Sequence, residues 1–195
     1  GTKDSIDYAV EGSVFTGGSL IQWLRDNLKM IEHASETESL AMSVNDNGGV
    51  TIIPALNGLG APHWQPNCTG LISGLTRSTT NSHIIRAALE SIAFQTNDII
   101  LSMKQHCPSI SFDTLRVDGG ASENNWLMQF QADVSNLLIE RPTITESTAL
   151  GAVLCASLIT EPLANNIDNV KSSFIQSITA EDRNALLKQW ESSLN

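Results

Sequence analysis

A strand, a glycine turn and the start of a helix follow one another in the stretch Thr114-Leu115-Arg116-Val117-Asp118-Gly119-Gly120-Ala121. Leu115 and Val117 alternate with polar residues, which is typical of a strand. The two glycines indicate a tight turn, and residues 122–137 then carry apolar side chains at helical spacing. Because strands and helices alternate in the same way elsewhere in the chain, the sequence predicts an α/β fold.

The rest of the chain repeats this pattern. Apolar spacing predicts further helices in residues 18–31, 80–103, 146–159 and 179–192, and short apolar runs predict strands in residues 6–12, 50–53 and 138–140. Between them, residues 54–66 contain three prolines and two glycines, which excludes regular structure and predicts a long ordered loop. Two interpretations of this loop stay open, a functional loop and a loop anchored by a buried Trp64.

The composition excludes several classes of function. The 195 residues carry a net charge of −10, without a cluster of Lys or Arg, which argues against nucleic acid or an anionic membrane as a partner. The longest apolar stretch is far shorter than the ~20 residues that span a bilayer. The three cysteines have no CxxC spacing, which suggests neither disulfides nor a zinc site. We therefore expect a cytoplasmic protein without a metal site of its own.

Charged residues are scarce on this chain. They make up 16% of the sequence, against roughly a quarter in an ordinary domain. Part of the surface is therefore expected to lie against a partner, and we expect a homo-oligomer.

The glycine turn is the best candidate for a binding site. Gly119 and Gly120 lack a Cβ, so a ligand can approach the backbone, and the following helix begins with unpaired N–H donors. Such a loop suits a phosphate or an adenine ring. A plain turn that needs a positive φ explains the same residues, and spacing alone does not distinguish the two. Asp118 has no second carboxylate near it in sequence, and His63 and His83 have no Ser or Cys at a nucleophile position, so we assign no catalytic residue.

Several ordered motifs resemble the FGGY family of carbohydrate kinases, and within it the members that act on glycerol. The resemblance covers about residues 8–160. It rests on the glycine turn with Asn124 and residues 127–129, and on Tyr8-Ala9-Val10-Glu11-Gly12, Gln22-Trp23-Leu24-Arg25-Asp26, Gly58-Leu59-Gly60-Ala61-Pro62-His63-Trp64, Gly70-x-Ile72-x-Gly74-Leu75, His83-Ile84, Ala87-Ala88-Leu89-Glu90 and Thr148-Ala149-Leu150-Gly151-Ala152.

The resemblance implies an actin-like ATPase (ribonuclease H-like) domain with a mixed sheet flanked by helices. Residues 1–195 would be the C-terminal nucleotide-binding domain of a two-domain kinase, with the first strands of that domain missing. The N-terminal domain, which holds the glycerol pocket and the aspartate base, would be absent. The intact enzyme would transfer the γ-phosphoryl group of ATP to a terminal hydroxyl of glycerol with Mg²⁺, and the fragment alone would be inactive.

The resemblance also implies nucleotide contacts in this chain. Gly119 and Gly120 would lie against the ATP or ADP, Asn124 would hydrogen-bond it, and Ser78 and Ser82 would add further contacts. Two residues depart from the family pattern: Ser78 stands where glycine is common and Gln65 where aspartate is common. The alternatives are another sugar kinase of the family, acting on a pentulose or gluconate, and a non-catalytic actin-like nucleotide-binding module.

Overall fold

The computed structural model describes residues 9–144, 146–157 and 170–194. Helices and strands alternate along these residues. In chain order they are α1 (Ser19–Asp26), α2 (Glu36–Met42), β1 (Thr51–Ile53), β2 (Leu71–Ser73), α3 (Asn81–His106), β3 (Thr114–Arg116), a 3₁₀ turn (Gly120–Glu123), α4 (Asn125–Ser135), β4 (Leu138–Pro142), α5 (Ser147–Ser157), β5 (Val170–Phe174) and α6 (Ala180–Ser193). Among the described helices, none has the length and apolarity to cross a bilayer.

The sheet that carries the glycine turn has the strand order β3-β4-β5. Strands β3 and β4 are parallel, with Thr114 opposite Leu138 and Arg116 opposite Glu140. The 3₁₀ turn and α4 form the crossover between them, as a parallel pair requires. Strand β5 runs antiparallel to β4, so the sheet is mixed, as the family resemblance implies. A separate antiparallel pair joins β1 and β2.

Helix α3 is the central helix of the core. It has 26 residues and begins after Thr80, whose backbone N–H donates to His83 Nδ1 at 3.0 Å in a reciprocal capping box. Ile85 and Leu89 are almost fully buried, and α3 packs against α2, α4 and β1. Because α3 contacts both α2 and α4, it fixes how α2 stands relative to the glycine turn.

The loop of residues 54–66 is ordered, as expected, but Trp64 is not its anchor. Leu59 and Gln65 exchange two backbone hydrogen bonds of 2.9 and 3.0 Å across the loop. Trp64 is 65% exposed and touches Phe15 edge to face, whereas Leu59 is 5% exposed. The interpretation of a buried Trp64 is therefore wrong, and smaller apolar residues hold the loop instead.

The predicted helix of residues 122–137 is wrong at both ends. Asn124 is extended, with φ −77° and ψ 108°, and separates the 3₁₀ turn from α4. The helix ends at Asn136, whose left-handed backbone (φ 53°, ψ 42°) stops it. Strand β5 was not predicted. Of the strand predicted in residues 6–12, residues 6–8 lie outside the described residues and residues 9–12 form no strand.

Candidate functional site

At its first glycine, the turn after β3 has a backbone conformation that only glycine readily adopts. Gly119 has φ 76° and ψ 173°, a region essentially restricted to glycine. Its carbonyl oxygen accepts hydrogen bonds from the Ser122 backbone N–H at 3.0 Å and from Ser122 Oγ at 2.7 Å. Gly120 has no positive φ, and a Cβ placed there would meet no atom of the described protein within 4 Å. Gly119 therefore shapes the turn, and Gly120 leaves open space beside it.

Asn124 links this turn to helix α2. Its Oδ1 accepts a hydrogen bond from the Leu127 backbone N–H at 2.9 Å, which caps the start of α4. Its Nδ2 donates to Thr37 Oγ1 at 3.1 Å. Since an amide side chain offers two N–H donors and two acceptor lone pairs, one donor and one acceptor position of Asn124 stay available to a ligand.

Gly120 and Asn124 face a cavity of about 420 Å³. Helix α1 lines the opposite side with Gln22 and Arg25, and Thr37 of α2 and Leu89 of α3 contribute to the walls. The volume lies within the range of roughly 300 to 1,000 Å³ that is usual for small-molecule sites. The cavity thus has an apolar floor, amide groups on two walls and a backbone opening at Gly120, an arrangement that suits a nucleotide.

The charges around the cavity are mixed and mostly paired. The guanidinium of Arg25 forms two hydrogen bonds to Asp26, of 2.7 and 2.9 Å. The hydrogen bond from Arg25 lowers the pKa of Asp26, so this pair stays ionised near neutral pH. Glu38 accepts hydrogen bonds from the backbone N–H and the side-chain Nδ2 of Asn125 at 3.1 and 3.0 Å, which ties α2 to α4 a second time.

The predicted serine contacts lie elsewhere. Ser78 Oγ is 2.8 Å from Thr76 Oγ1 in the turn before α3. Ser82 Oγ accepts a hydrogen bond from Ser43 Oγ at 2.9 Å. Neither serine lines the cavity. The structure therefore brings Gly120 and Asn124 together, with Gly119 adjoining them, and leaves Ser78 and Ser82 outside; their contact with a nucleotide stays a prediction.

Sequence reasoning missed Gln22, Arg25 and Thr37 as lining residues. Gln22 and Arg25 lie three positions apart, so they share one face of α1, opposite the buried Leu20 and Leu24. A polar helix face of this kind does not differ by its pattern from an ordinary solvated face, and the one signal that could have pointed to Gln22 and Arg25 is that they stand in a motif of the family resemblance. Only the packing of α1 near the glycine turn gives these residues a common cavity.

A larger cavity of about 770 Å³ lies toward the other end of α3. His63, Asp98 and Trp190 meet there: Asp98 Oδ2 is 3.0 Å from His63 Nε2 and accepts a hydrogen bond from Trp190 Nε1 at 2.8 Å. None of the five residues predicted to contact the nucleotide lines this cavity.

Comparison with known proteins gives the class to which this fold belongs. The family model described as the FGGY family of carbohydrate kinases, C-terminal domain, matches residues 1–159. The chain belongs to this family of carbohydrate kinases.

Within the family, the chain is similar to proteins named glycerol kinase. The glycerol kinase of Borreliella burgdorferi (strain ZS7) is 49% identical over 200 residues, which cover 100% of this chain and 40% of that protein. The glycerol kinase of Clostridium botulinum (strain Alaska E43 / Type E3) is 56% identical over 158 residues, which cover 81% of this chain and 32% of that protein. The chain thus spans at most about 40% of the length of these relatives.

A solved structure shares the fold. The crystal structure of Plasmodium falciparum glycerol kinase with ADP aligns with 93% of this chain and 37% of its own, with a TM-score of 0.83 and 32% sequence identity. The predicted fold class, an α/β actin-like ATPase domain with a mixed sheet, is confirmed by this likeness and by the strand order described above.

Proposed function

We propose that residues 1–195 are the C-terminal nucleotide-binding domain of a two-domain, cytoplasmic, ATP-dependent kinase that phosphorylates glycerol to glycerol 3-phosphate. Two findings support the proposal: the family to which the chain belongs, and the name glycerol kinase carried by relatives that the chain matches over its whole length. Because the chain spans about 40% of such a relative, glycerol binding and the catalytic base are assigned to the rest of the intact protein.

The nucleotide is proposed to bind in the cavity between α1 and the glycine turn. The observation that carries this assignment is the convergence of Gly120 and Asn124, which the sequence predicts as nucleotide contacts, on one cavity of about 420 Å³. Gly120 offers space for close approach of the ligand, Asn124 an amide at the start of a helix, and Gln22 a second amide from the opposite wall. Ser78 and Ser82 are proposed as more distant contacts of the same nucleotide.

The chain contributes binding and orientation to the reaction. In phosphoryl transfer the bond between the γ-phosphorus and the bridging oxygen breaks, a glycerol oxygen bonds to that phosphorus, and the hydroxyl proton passes to a base. No base is assigned to this chain. The catalytic effect of a site that only holds ATP comes from fixing the γ-phosphoryl group in line with the acceptor.

Magnesium has no assigned ligands here. In the part of the chain that the structure describes, no three His, Cys, Asp or Glu side chains converge as a metal site. Mg²⁺ is therefore proposed only for the intact enzyme, where the nucleotide phosphates supply oxygen ligands. The same holds for the expected homo-oligomer, which stays a prediction about the intact protein.

The decisive experiment is a substrate panel. The intact protein is given ATP and Mg²⁺ with glycerol, xylulose or gluconate, and ADP release is followed. We expect turnover with glycerol at least tenfold more efficient than with the other two, and none with residues 1–195 alone. Preference for a pentulose or gluconate would assign the protein to another branch of the family. Nucleotide binding without turnover on any acceptor would favour the non-catalytic module.

A further inference from the structure

Arg141 of strand β4 is a buried cation. The residue is 5% exposed, and among the described residues no carboxylate lies within ion-pair distance of its guanidinium. Burial of a charge is costly unless hydrogen bonds compensate for it, so the hydrogen bonds of Arg141 carry its burial.

Those hydrogen bonds converge on the glycine turn. Arg141 Nη1 donates to the Ser122 carbonyl at 2.7 Å, and Nη2 donates to Asn125 Oδ1 at 2.9 Å. Nη2 also donates to Ser172 Oγ of β5 at 2.8 Å, and the guanidinium lies over the ring of Phe174 at 5.4 Å. The planar fork of Arg141 thus holds two positions that flank Asn124, one in the 3₁₀ turn and one at the first residue of α4.

Neither Ser122 nor Asn125 lines the cavity itself, but each bonds to a group that lines or adjoins it. Ser122 fixes the Gly119 carbonyl through its own N–H and Oγ, which sets the peptide that joins Gly119 to Gly120. Asn125 binds Glu38 of α2 through its backbone and its side chain. Arg141 therefore connects the sheet to the backbone beside Gly120 through one intermediate residue, and to α2 through another.

We propose that Arg141 is a positioning residue for the nucleotide: its two-pronged hydrogen bonding to Ser122 and Asn125 holds Gly120 and Asn124 in the geometry that binds ATP. The inference rests on the proposed nucleotide site and adds a residue that lies outside the cavity lining. A lysine cannot replace the fork, because an ammonium group is a compact charge without the rigid, planar pair of donors that a guanidinium presents.

The test measures ADP affinity by calorimetry in the intact protein. Arg141→Lys keeps the charge and loses the fork, and Arg141→Met loses both. We expect each to weaken ADP binding on the order of tenfold, as the loss of about two hydrogen bonds that hold a binding loop implies, and to raise the KM for ATP while leaving the KM for glycerol unchanged. Ser172→Ala is the matched control, since it removes the Arg141 bond that points away from the turn; its ADP affinity is expected to match that of the wild type.

The outcomes separate the inference from the function on which it rests. If the wild-type intact protein does not bind ADP, the nucleotide site and the role of Arg141 both fail. If the wild type binds ADP and the folded Arg141 variants bind it equally well, only the positioning role fails. An equal loss of ADP affinity in Ser172→Ala, or a parallel rise in the KM for glycerol, also overturns it. Should Arg141→Met not fold, Arg141→Lys, which keeps the charge and loses the fork, gives the same readout.

Discussion

Asn124 and Thr37 join two walls of the proposed nucleotide cavity through a hydrogen bond of 3.1 Å from Nδ2 to Oγ1. Thr37 is almost fully buried in α2, and its hydroxyl donates in turn to the Ala34 carbonyl at 2.7 Å. Because Asn124 also caps α4, one side chain sets both the start of a helix and the separation of two cavity walls. Its structural and ligand-binding roles can be separated by choosing the replacement.

Asn124→Ala is expected to lower the free energy of unfolding by about 1 kcal/mol, because the cap on the Leu127 N–H is lost. It is also expected to weaken ATP binding by roughly 1 to 2 kcal/mol, with little effect on the binding of glycerol. Asn124→Ser is the matched variant: it keeps a capping oxygen but is too short to bond Thr37 or the ligand. We expect near wild-type stability with the same loss of ATP affinity, measured by denaturant unfolding and calorimetry. Equal ATP affinity in all three proteins would remove Asn124 from the site.

Gly119 and Gly120 are expected to respond differently to alanine. Gly119→Ala places a side chain in a backbone region that only glycine adopts, so it should cost about 1 to 3 kcal/mol of stability. The Cβ of Gly120→Ala meets no atom of the described residues within 4 Å, and the position needs no positive φ, so the free energy of unfolding of this variant should stay near that of the wild type. Its Cβ would still occupy ligand space, and ADP affinity should fall. Wild-type ADP affinity in Gly120→Ala would mean that the glycine pair is only a turn.

Gln22→Ala tests the wall that α1 provides. Gln22 is exposed and lines the cavity, so its removal should leave stability within about 0.5 kcal/mol of the wild type. We expect ADP affinity to fall about fivefold, which corresponds to one hydrogen bond of ~1 kcal/mol. Gln105→Ala is the control, because Gln105 is an exposed helical glutamine on the other, larger cavity. Loss of ADP affinity in both variants, or in neither, would contradict the placement of the nucleotide beside α1.

Local signals in the sequence were sufficient to predict a helix whose start is capped by a neighbouring side chain. Thr179 predicts the start of the last helix, and its Oγ1 accepts the Asp182 N–H at 3.1 Å. Strand β5 gives no such signal, since residues 171–173 are polar and the strand forms by pairing with β4. Its existence therefore depends on tertiary structure rather than on alternation.

The same distinction applies to the candidate site, where some residues are predictable from a local motif and others depend on tertiary structure. Gly120 and Asn124 lie in one short motif, so the resemblance was enough to single them out. Gln22 lies far earlier in the chain, and only the packing of α1 brings it to the same cavity. The break at Asn124 was missed because Ser122 and Glu123 are compatible with a continuous helix. In the structure, Asn124 bonds to Thr37 and Arg141 bonds to the Ser122 carbonyl, and these bonds hold the extended residue there.

The burial of Glu90 predicts that the free energy of unfolding depends on pH, independently of nucleotide binding. It is 4% exposed, and its carboxylate accepts hydrogen bonds from Asn47 Nδ2 at 2.7 Å and from Arg86 Nε at 3.1 Å. Burial outweighs these bonds and raises the pKa of Glu90 above its ordinary value. The folded state therefore holds this proton at pH values where the unfolded state has released it.

The pKa of Glu90 is higher in the folded state than in the unfolded state, and this sets the direction in which stability changes with pH. The stability that Glu90 contributes is fully present below the ordinary glutamate pKa and is lost as the pH rises through the higher pKa of the folded protein. Glu90→Gln cannot titrate, so the free energy of unfolding of this variant minus that of the wild type should increase with pH across this window. The measurement is denaturant unfolding of both proteins at a series of pH values. A flat difference for Glu90→Gln would show that Asn47 and Arg86 compensate fully for burial of the carboxylate, and a falling one would show that they overcompensate.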